Sequence, residues 1–307
     1  MYFQQTIKRR VSCQGIGIHS GRPVQLVIHP APANSGLNFV RADLPGAPVI
    51  PARSSRVVDS SLATTLGSQE AYVSTVEHLL GALAGLGVDN ARIEVSGPEV
   101  PILDGSAASF VSLLKQAGFK TLRWPRAFFA IHKPIEISHG DKYIGIEPAP
   151  EFKVSYAIDF PHPRIGRQKM TLQPRAKTFC REIAPARTFG FLEDVQRLQA
   201  NGQALGGSLD NAIVLDHHGV LNPEGLRFPD EFVRHKILDL IGDLALLGWP
   251  VLGHLRVIKG SHALHQQFMQ ALLQQQEAWR LFIPETQPSW RAPLQAPAPL
   301  PFRVAMA

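Results

Sequence analysis

Hydrophobic and polar residues alternate in several short segments of this chain. The clearest are Val24–Ile28, Ala91–Val95 and Tyr143–Ile146. Successive side chains of a β-strand point to opposite faces of a sheet, so alternation indicates a strand with one buried face. The pattern therefore predicts half-buried strands in these three segments.

Four other segments repeat their apolar residues at the helical period. The predicted helices begin at Ser74, Ser106, Asp230 and Ser261. The third is predicted to end at Gly248, because Pro250 follows directly and cannot continue a helix. Strands and helices alternate in mixed order without regular βαβ spacing, which favours the α+β class.

Two places along the chain break the pattern. The helix that begins at Ser106 ends at Gly118, and the proline-containing segment Lys120–Arg126 follows. Six prolines between Pro284 and Pro301 exclude a helix or a central strand there. We therefore expect a first domain at 1–122, a second at 127–282, and a proline-rich tail at 283–307.

Composition excludes some classes of protein. Of 307 residues, 45% are hydrophobic and 18% are charged, which is too apolar for a disordered chain. The apolar uncharged stretches Leu79–Val88 and Leu244–Leu255 are too short to span a membrane. No secretory signal is visible, and two distant cysteines, Cys13 and Cys180, fit a reducing compartment. We expect a cytoplasmic protein.

The charge balance is modestly basic, with a formal net charge of +6. Nucleic-acid binders concentrate lysine and arginine in a stripe, whereas the densest run here is the three residues Lys8–Arg10. The excess fits an anionic small substrate better than a nucleic acid. We therefore expect a small-molecule partner and no nucleic acid.

The third predicted helix carries a polar stripe among apolar residues. His235, Asp239 and Asp243 recur at every fourth position, which places them on one face. Side chains at i and i+4 can converge on one metal ion, and imidazole with carboxylate suits Zn²⁺. The alternative is a salt-bridged or solvent-facing stripe without a metal.

Two more histidines begin helices. Ser74 and Glu77 have the spacing of a capping box, which would explain Glu77 without chemistry but leaves the neighbouring His78 unexplained. At the start of the last helix, the helix N-terminus disfavours the charged form of His262, whereas a partner such as Asp243 would favour it. An open zinc site needs three protein ligands, a water molecule and a general base.

Several motifs together resemble a known family, the bacterial UDP-3-O-acyl-N-acetylglucosamine deacetylases of lipid A synthesis. The motifs are GIGIHSG at 15–21, STVEH at 74–78, PILDGS at 101–106, ARTFGF at 186–191, LGGS at 205–208, HKILDLIGD at 235–243 and SHAL at 261–264. The resemblance covers roughly residues 6–279. One departure is the order Gly260-Ser261 before His262, where family members more often have serine before glycine.

The resemblance implies two α+β domains of related topology, with the helices packed between two sheets and the active site in the cleft. It implies hydrolysis of the acetamide of an acylated UDP-amino sugar, the committed step of lipid A synthesis. The implied zinc ligands are His78, His235 and Asp239. The implied catalytic residues are Glu77 as general base, His262 as general acid, Asp243 as its orienting partner, and Thr188.

The resemblance also suggests how the substrate binds. Lys236 and Lys259 match basic residues that meet the diphosphate. Apolar residues after Thr188 match a hydrophobic passage for the acyl chain, and we assign its wall to Val195, Leu209 and Val214. Phe189 is a further expected substrate-binding residue. We expect no membrane span and at most weak contact with a membrane surface. The alternatives are a zinc amidohydrolase of another substrate class and a non-catalytic nucleotide-sugar binding protein.

Overall fold

The computed structural model describes residues 3–284, which form twenty strands and six α-helices. The strands are β1 (Phe3–Ile7), β2 (Val11–Ile16), β3 (Pro23–Pro30), β4 (Leu37–Arg41), β5 (Val49–Pro51), β6 (Val57–Asp59), β7 (Thr65–Gly67), β8 (Tyr72–Val73), β9 (Ala91–Val95), β10 (Phe119–Pro125), β11 (Phe128–Ile131), β12 (Ile135–His139), β13 (Lys142–Glu147), β14 (Lys153–Phe160), β15 (Gly166–Leu172), β16 (Phe189–Phe191), β17 (Ile213–Leu215), β18 (Val251–Leu252), β19 (His254–Ile258) and β20 (Trp279–Phe282). The helices are α1 (Glu77–Gly85), α2 (Ala108–Ala117), α3 (Ala176–Thr178), α4 (Leu192–Ala200), α5 (Glu231–Leu244) and α6 (His262–Gln274).

Each half of the described chain contains a five-stranded sheet. The strand order is β2-β3-β9-β4-β5 in the first half and β12-β13-β19-β14-β15 in the second. In both sheets the third and fourth strands pair in parallel and the other neighbours are antiparallel. The two sheets therefore have the same topology. The three strands predicted from alternation lie in β3, β9 and β13.

The helices also occupy corresponding positions. In the first half α1 precedes β9 and α2 follows it, and in the second half α5 precedes β19 and α6 follows it. The helices α1 and α5 pack against each other, and α5 also packs on β14 and β15. The predicted α+β class and the related topology of the halves are confirmed.

Each half inserts extra structure between the fifth strand of its sheet and the helix that follows. The first insertion contains the small sheet β6-β7-β8, and the second contains α3, α4 and the parallel pair β16-β17. Backbone hydrogen bonds from Leu205 to His19 and from Gly206 to Ile18 join the second insertion to the first half. The second insertion therefore lies beside the contact between the halves.

The segment expected to separate the domains is largely strand. The strand β10 pairs antiparallel with β1, from Phe3 opposite Pro125 to Ile7 opposite Phe119. The strand β20 pairs with β11 of the second half. The division into 1–122 and 127–282 stays a prediction, and the proposed tail lies outside the described residues beyond Pro284.

Helix ends follow the sequence pattern only in part. Ser261 is the N-cap of α6, and its Oγ accepts a hydrogen bond from the Leu264 amide at 3.3 Å. The capping-box interpretation of Ser74 is wrong, because α1 begins later, at Glu77, and its N-cap is Val76. Thr75 has a φ of 57°, a left-handed conformation that keeps the preceding residues out of the helix. Within 3–284, no helix has the length and apolar character needed to cross a membrane.

Candidate active site

Three side chains from two helices meet where α1 and α5 cross. His78 is the second residue of α1, while His235 and Asp239 lie one turn apart on α5. The Oδ1 atom of Asp239 is 3.6 Å from Nε2 of His78 and 3.2 Å from Nε2 of His235. All three residues are at most 4% exposed, so the polar stripe of α5 does not face solvent.

Glycine makes this close crossing of the helices possible. A Cβ at position 242 would lie 2.0 Å from the carbonyl oxygen of Glu77, and a Cβ at position 81 would lie 2.7 Å from Leu238. Contacts this short are not tolerated, so any larger residue at Gly242 would push α1 away from α5. The distance between His78 and the ligands on α5 depends on these glycines.

The donor set fits a divalent metal ion. One ligand atom from each of the three residues lies within 4.8 Å of the others. His235 Nδ1 donates a hydrogen bond to the Ala186 carbonyl at 3.1 Å, which leaves the Nε2 lone pair facing the cluster. Burial lowers the pKa of His235 to about 3, so its imidazole is neutral as a metal ligand requires. Burial tends to raise the pKa of Asp239, but the charge of Lys236 and the hydrogen bond from His78 hold it well below its usual range.

Glu77 lies beside this cluster as a buried carboxylate. Its Oε2 accepts a hydrogen bond from the Thr64 amide at 3.1 Å, and its Oε1 is 4.0 Å from Nε2 of His262. Burial raises the pKa of Glu77, because the imidazoles of His262 and His78 offset only part of the lost hydration. A carboxylate with a raised pKa is a stronger base than one in water.

His262 is the first residue of α6 and points its ring into the same space. Its Nδ1 is 2.7 Å from Oδ2 of Asp243, and its Nε2 is 4.0 Å from Oδ2 of Asp239. Burial alone would lower the pKa of His262, but the negative charge of Asp243 outweighs it and raises the pKa to about 10. His262 is therefore held as imidazolium, and the pairing with Asp243 prevails over the helix N-terminus.

Asp243 has two further partners that the sequence analysis missed. Its Oδ1 accepts the Thr64 hydroxyl at 2.6 Å, and its Oδ2 is 2.8 Å from Nδ1 of the fully buried His265. The spacing of His262 and His265, three residues apart on one helix, was the signal available for His265. Although Asp243, His262 and His265 also group closely enough for a metal, the 2.7 and 2.8 Å contacts are hydrogen bonds onto one shared oxygen.

The order Gly260-Ser261 has a structural explanation. A Cβ at position 260 would lie 2.3 Å from the Tyr156 hydroxyl and 3.0 Å from Nε2 of His265. A serine at 260 would therefore collide with the buried Tyr156–His265 pair, whose polar atoms are 3.5 Å apart. Ser261 in turn supplies the cap of α6.

The two predicted lysines have different surroundings. Lys236 binds Oδ2 of Asp239 at 2.9 Å, and its ammonium lies 5.6 Å from the centre of the Phe189 ring. Lys259 lies three residues before His262, in the loop between β19 and α6, and its ammonium binds Asp141 at 2.8 Å. Of the two, the structure brings only Lys236 into contact with the His-His-Asp cluster.

The predicted acyl-chain residues lie in the second insertion. Thr188 donates its amide hydrogen to the Gly105 carbonyl at 2.8 Å, which ties it to the first half. The Phe189 ring packs edge-on against Phe232, with 6.3 Å between its centroid and that of His235. Val195 is half-buried on α4, whereas Val214 is 8% and Leu209 is 40% exposed. Phe189 therefore borders the cluster, and the other three residues lie in the surrounding insertion.

A repeated α+β fold with a buried His-His-Asp cluster, a neighbouring carboxylate and an imidazolium defines the class of metal-dependent hydrolases. The family model described as UDP-3-O-acyl N-acetylglycosamine deacetylase matches residues 4–274. The chain belongs to this family of metalloenzymes.

Curated relatives are similar over nearly the whole chain. One from an Anaeromyxobacter species is 53% identical over 270 residues, which cover 88% of each chain. One from Myxococcus xanthus is 51% identical over 272 residues, covering 89% of this chain and 87% of the relative. One from a Shewanella species is 48% identical over 284 residues, covering 92% and 93%. Each is named UDP-3-O-acyl-N-acetylglucosamine deacetylase.

Proposed function

We propose that this chain hydrolyses the N-acetyl group of UDP-3-O-acyl-N-acetylglucosamine, in the committed step of lipid A synthesis. Water adds to the amide carbon and the C–N bond breaks, which releases acetate and leaves a free amine on the sugar. The observation that carries this proposal is the convergence of Glu77, His262 and three metal-ligand residues in one buried cluster. Family membership supports the choice of substrate.

We propose Zn²⁺ as the resident ion, held by His78, His235 and Asp239. Two imidazole nitrogens and one carboxylate oxygen are the ligands of many catalytic zinc sites. When bound, zinc acts as a Lewis acid that polarises water and the amide carbonyl. The Ala186 carbonyl orients His235 for this role through the bond to Nδ1.

Glu77 and His262 move the protons in this proposal. Glu77 accepts a proton from the attacking water, because its carboxylate is buried, more basic than usual and bound by the Thr64 amide alone among the described residues. His262 stabilises the negative charge that develops on the amide oxygen, then donates its Nε2 proton to the leaving amine. Without that proton the amine is a very poor leaving group.

Asp243 and His265 position the proton donor. Asp243 accepts from Nδ1 of His262, which directs Nε2 toward Glu77 and the metal cluster. His265 donates to the same oxygen and so restrains Asp243. Thr188 is proposed to donate its hydroxyl to the amide carbonyl, supported by its place two residues after Ala186.

The two ends of the substrate use different parts of the second half. Lys236 is proposed to meet the diphosphate, and Lys259 would need to exchange its bond with Asp141 to do the same. The acyl chain is proposed to pack against Phe189, Val195, Leu209 and Val214. Exposed Leu209 supports this role, because it is the member of this set with the most surface free to cover a chain.

Acetate release from the UDP-linked substrate tests the proposal. We expect one zinc per chain by elemental analysis, loss of turnover on chelation, and recovery on adding zinc back. A purified chain that holds no metal, or whose acetate release is unaffected by chelator, would contradict the metal assignment. A folded, zinc-loaded chain that releases no acetate from this substrate would contradict the substrate assignment.

A further inference from the structure

A cavity of about 430 Å³ lies between the two halves, lined by none of the candidate active-site residues. We call it the junction cavity. Ala84 at the end of α1 and Arg53 line it from the first half, and Phe128, Phe152 and Trp249 line it from the second. Its volume lies in the range of small-molecule sites, about 300–1,000 Å³.

Among residues 3–284, one of the charged side chains that line this cavity has no partner of opposite charge. Arg126 pairs with Asp89 at 2.7 Å, and Arg175 pairs with Glu151 at 2.6 Å. Arg53 has no hydrogen-bond acceptor or carboxylate partner for its side chain within residues 3–284. Burial lowers the pKa of Arg53, but a guanidinium stays protonated in proteins. The cavity therefore carries one uncompensated positive charge.

Two glycines in the left-handed conformation, Gly36 and Gly248, lie next to this guanidinium. A Cβ at position 248 would lie 2.0 Å from Nη1 of Arg53, and a Cβ at position 36 would lie 3.2 Å from Nη2. The guanidinium also lies 5.9 Å from the centre of the Trp249 ring, within the range of a cation–π contact. The guanidinium thus lies beside an aromatic ring and lacks a carboxylate partner among the described residues.

We propose that the junction cavity binds a carboxylate that carries an apolar chain, with the carboxylate paired to Arg53 and the chain covered by Phe128, Phe152 and Trp249. The planar fork of arginine matches the two oxygens of a carboxylate. A monoanion neutralises the single free charge, whereas a doubly charged phosphate would exceed it. Such a ligand touches both halves and stabilises their contact.

Decanoate is the probe, measured by calorimetric titration of the full-length, zinc-loaded chain. We expect decanoate to bind at the cavity at least tenfold more tightly than 1-decanol or acetate, which lack the charge and the chain respectively. Each methylene added from octanoate to decanoate should tighten binding roughly three- to fourfold. Equal binding of decanol would overturn the role of Arg53, and equal binding of acetate would overturn that of the apolar wall.

Two variants locate the site. Arg53→Met keeps a long apolar side chain beside Trp249 and should weaken decanoate binding at least tenfold, whereas the matched control Arg10→Met, at an exposed arginine elsewhere, should leave it unchanged. Ala84→Phe should also weaken binding by filling the cavity while retaining Arg53. Unaltered binding in both cavity variants would overturn the proposal.

Decanoate could instead enter the proposed acyl passage, so competition with the acylated substrate is measured as well. If decanoate competes with the substrate and binds Arg53→Met as tightly as it binds the unmodified chain, it occupies the acyl passage. That result would overturn the proposal. The binding measurement does not depend on turnover. The proposal for the junction cavity would therefore stand even if the deacetylase proposal failed.

Discussion

Glu77 and Glu231 occupy the same position in the two halves, since each is the first residue of the helix that precedes the third strand of its sheet. Both are almost completely buried. Glu231 is surrounded by donors: the amide and Nε of Arg187 bind Oε1, each at 3.0 Å, and the Arg227 amide binds Oε2 at 2.6 Å. Glu77 accepts an amide hydrogen bond from Thr64 and lies near imidazoles instead.

The difference shows how one repeated fold separates stability from chemistry. A buried carboxylate that is fully paired with arginine is a poor base, because its charge is already neutralised. A buried carboxylate without such a partner is costly to bury but basic and available for a proton. We therefore expect the first half to use this helix position for catalysis and the second half to use it for stability.

Glu77→Gln tests the catalytic side and should have the largest effect. We expect turnover to fall by roughly 10²- to 10⁴-fold, since the amide cannot accept the proton from water. Zinc content and the unfolding temperature should change little, because the carbonyl oxygen of the introduced glutamine can still accept the Thr64 amide. Turnover close to that of the unmodified chain would show that Glu77 is structural and that the comparison with Glu231 is wrong.

Glu231→Gln tests the structural side. Removing the charge leaves Arg187 poorly paired in a buried site, and we expect the free energy of unfolding to fall by about 3 kcal/mol in denaturant titration. Glu224→Gln is the matched control, because Glu224 pairs with the same arginine but is 52% exposed. That change should cost less than about 1 kcal/mol. A similar loss of unfolding free energy in the two variants would show that the buried Glu231 contributes no more to stability than the exposed Glu224.

Asp243→Asn tests whether His262 is the proton donor. The negative charge of Asp243 raises the pKa of His262 to about 10, which keeps the imidazole protonated up to alkaline pH. Without that charge the pKa falls, so the donor loses its proton at a lower pH. The alkaline limb of the pH–rate profile should move down by about one to three units. A lower rate with an unmoved limb would mean that His262 is not the group titrating there.

His265 variants carry the smallest expected effect. His265→Leu removes a hydrogen bond to the charged Asp243 and should lower kcat by roughly tenfold with little change in KM, since such bonds contribute about 1.5–3 kcal/mol. His265→Asn retains a donor near the same position and should recover part of the loss. Equal kcat in both variants would show that His265 fills space without positioning Asp243.

Much of the fold class and the residue types of the site could be read from sequence. Alternation identified β3, β9 and β13, and the helical period identified α1, α2, α5 and α6, because both patterns reflect local backbone geometry. The four-residue spacing of His235, Asp239 and Asp243 placed them on one face for the same reason. The proposed metal-binding role came from the resemblance to a family, since the polar stripe alone favoured a salt-bridged or solvent-facing interpretation.

The local sequence pattern gave a wrong prediction, or none, where contacts with other parts of the chain decide the structure. Ser74 has the spacing of a capping residue, but its Oγ lies 2.9 Å from the Thr65 hydroxyl, and the left-handed Thr75 delays the helix. The hydrogen bond from His265 to the Asp243 oxygen that His262 also contacts was likewise not predicted. Each of these outcomes depends on a residue far away in the chain or on another element.

The sequence by itself determined three strands, four helices and the spacing of the candidate ligands within each helix, because helical and strand periodicity are properties of the local backbone. Only the tertiary structure decided which groups meet. The close crossing of α1 and α5 at Gly242 brings His78 to Asp239, and Arg187 pairs with Glu231 while no arginine of residues 3–284 pairs with Glu77. Burial and partner charges set the proton affinity of each group, and neither is encoded at the position of the residue itself.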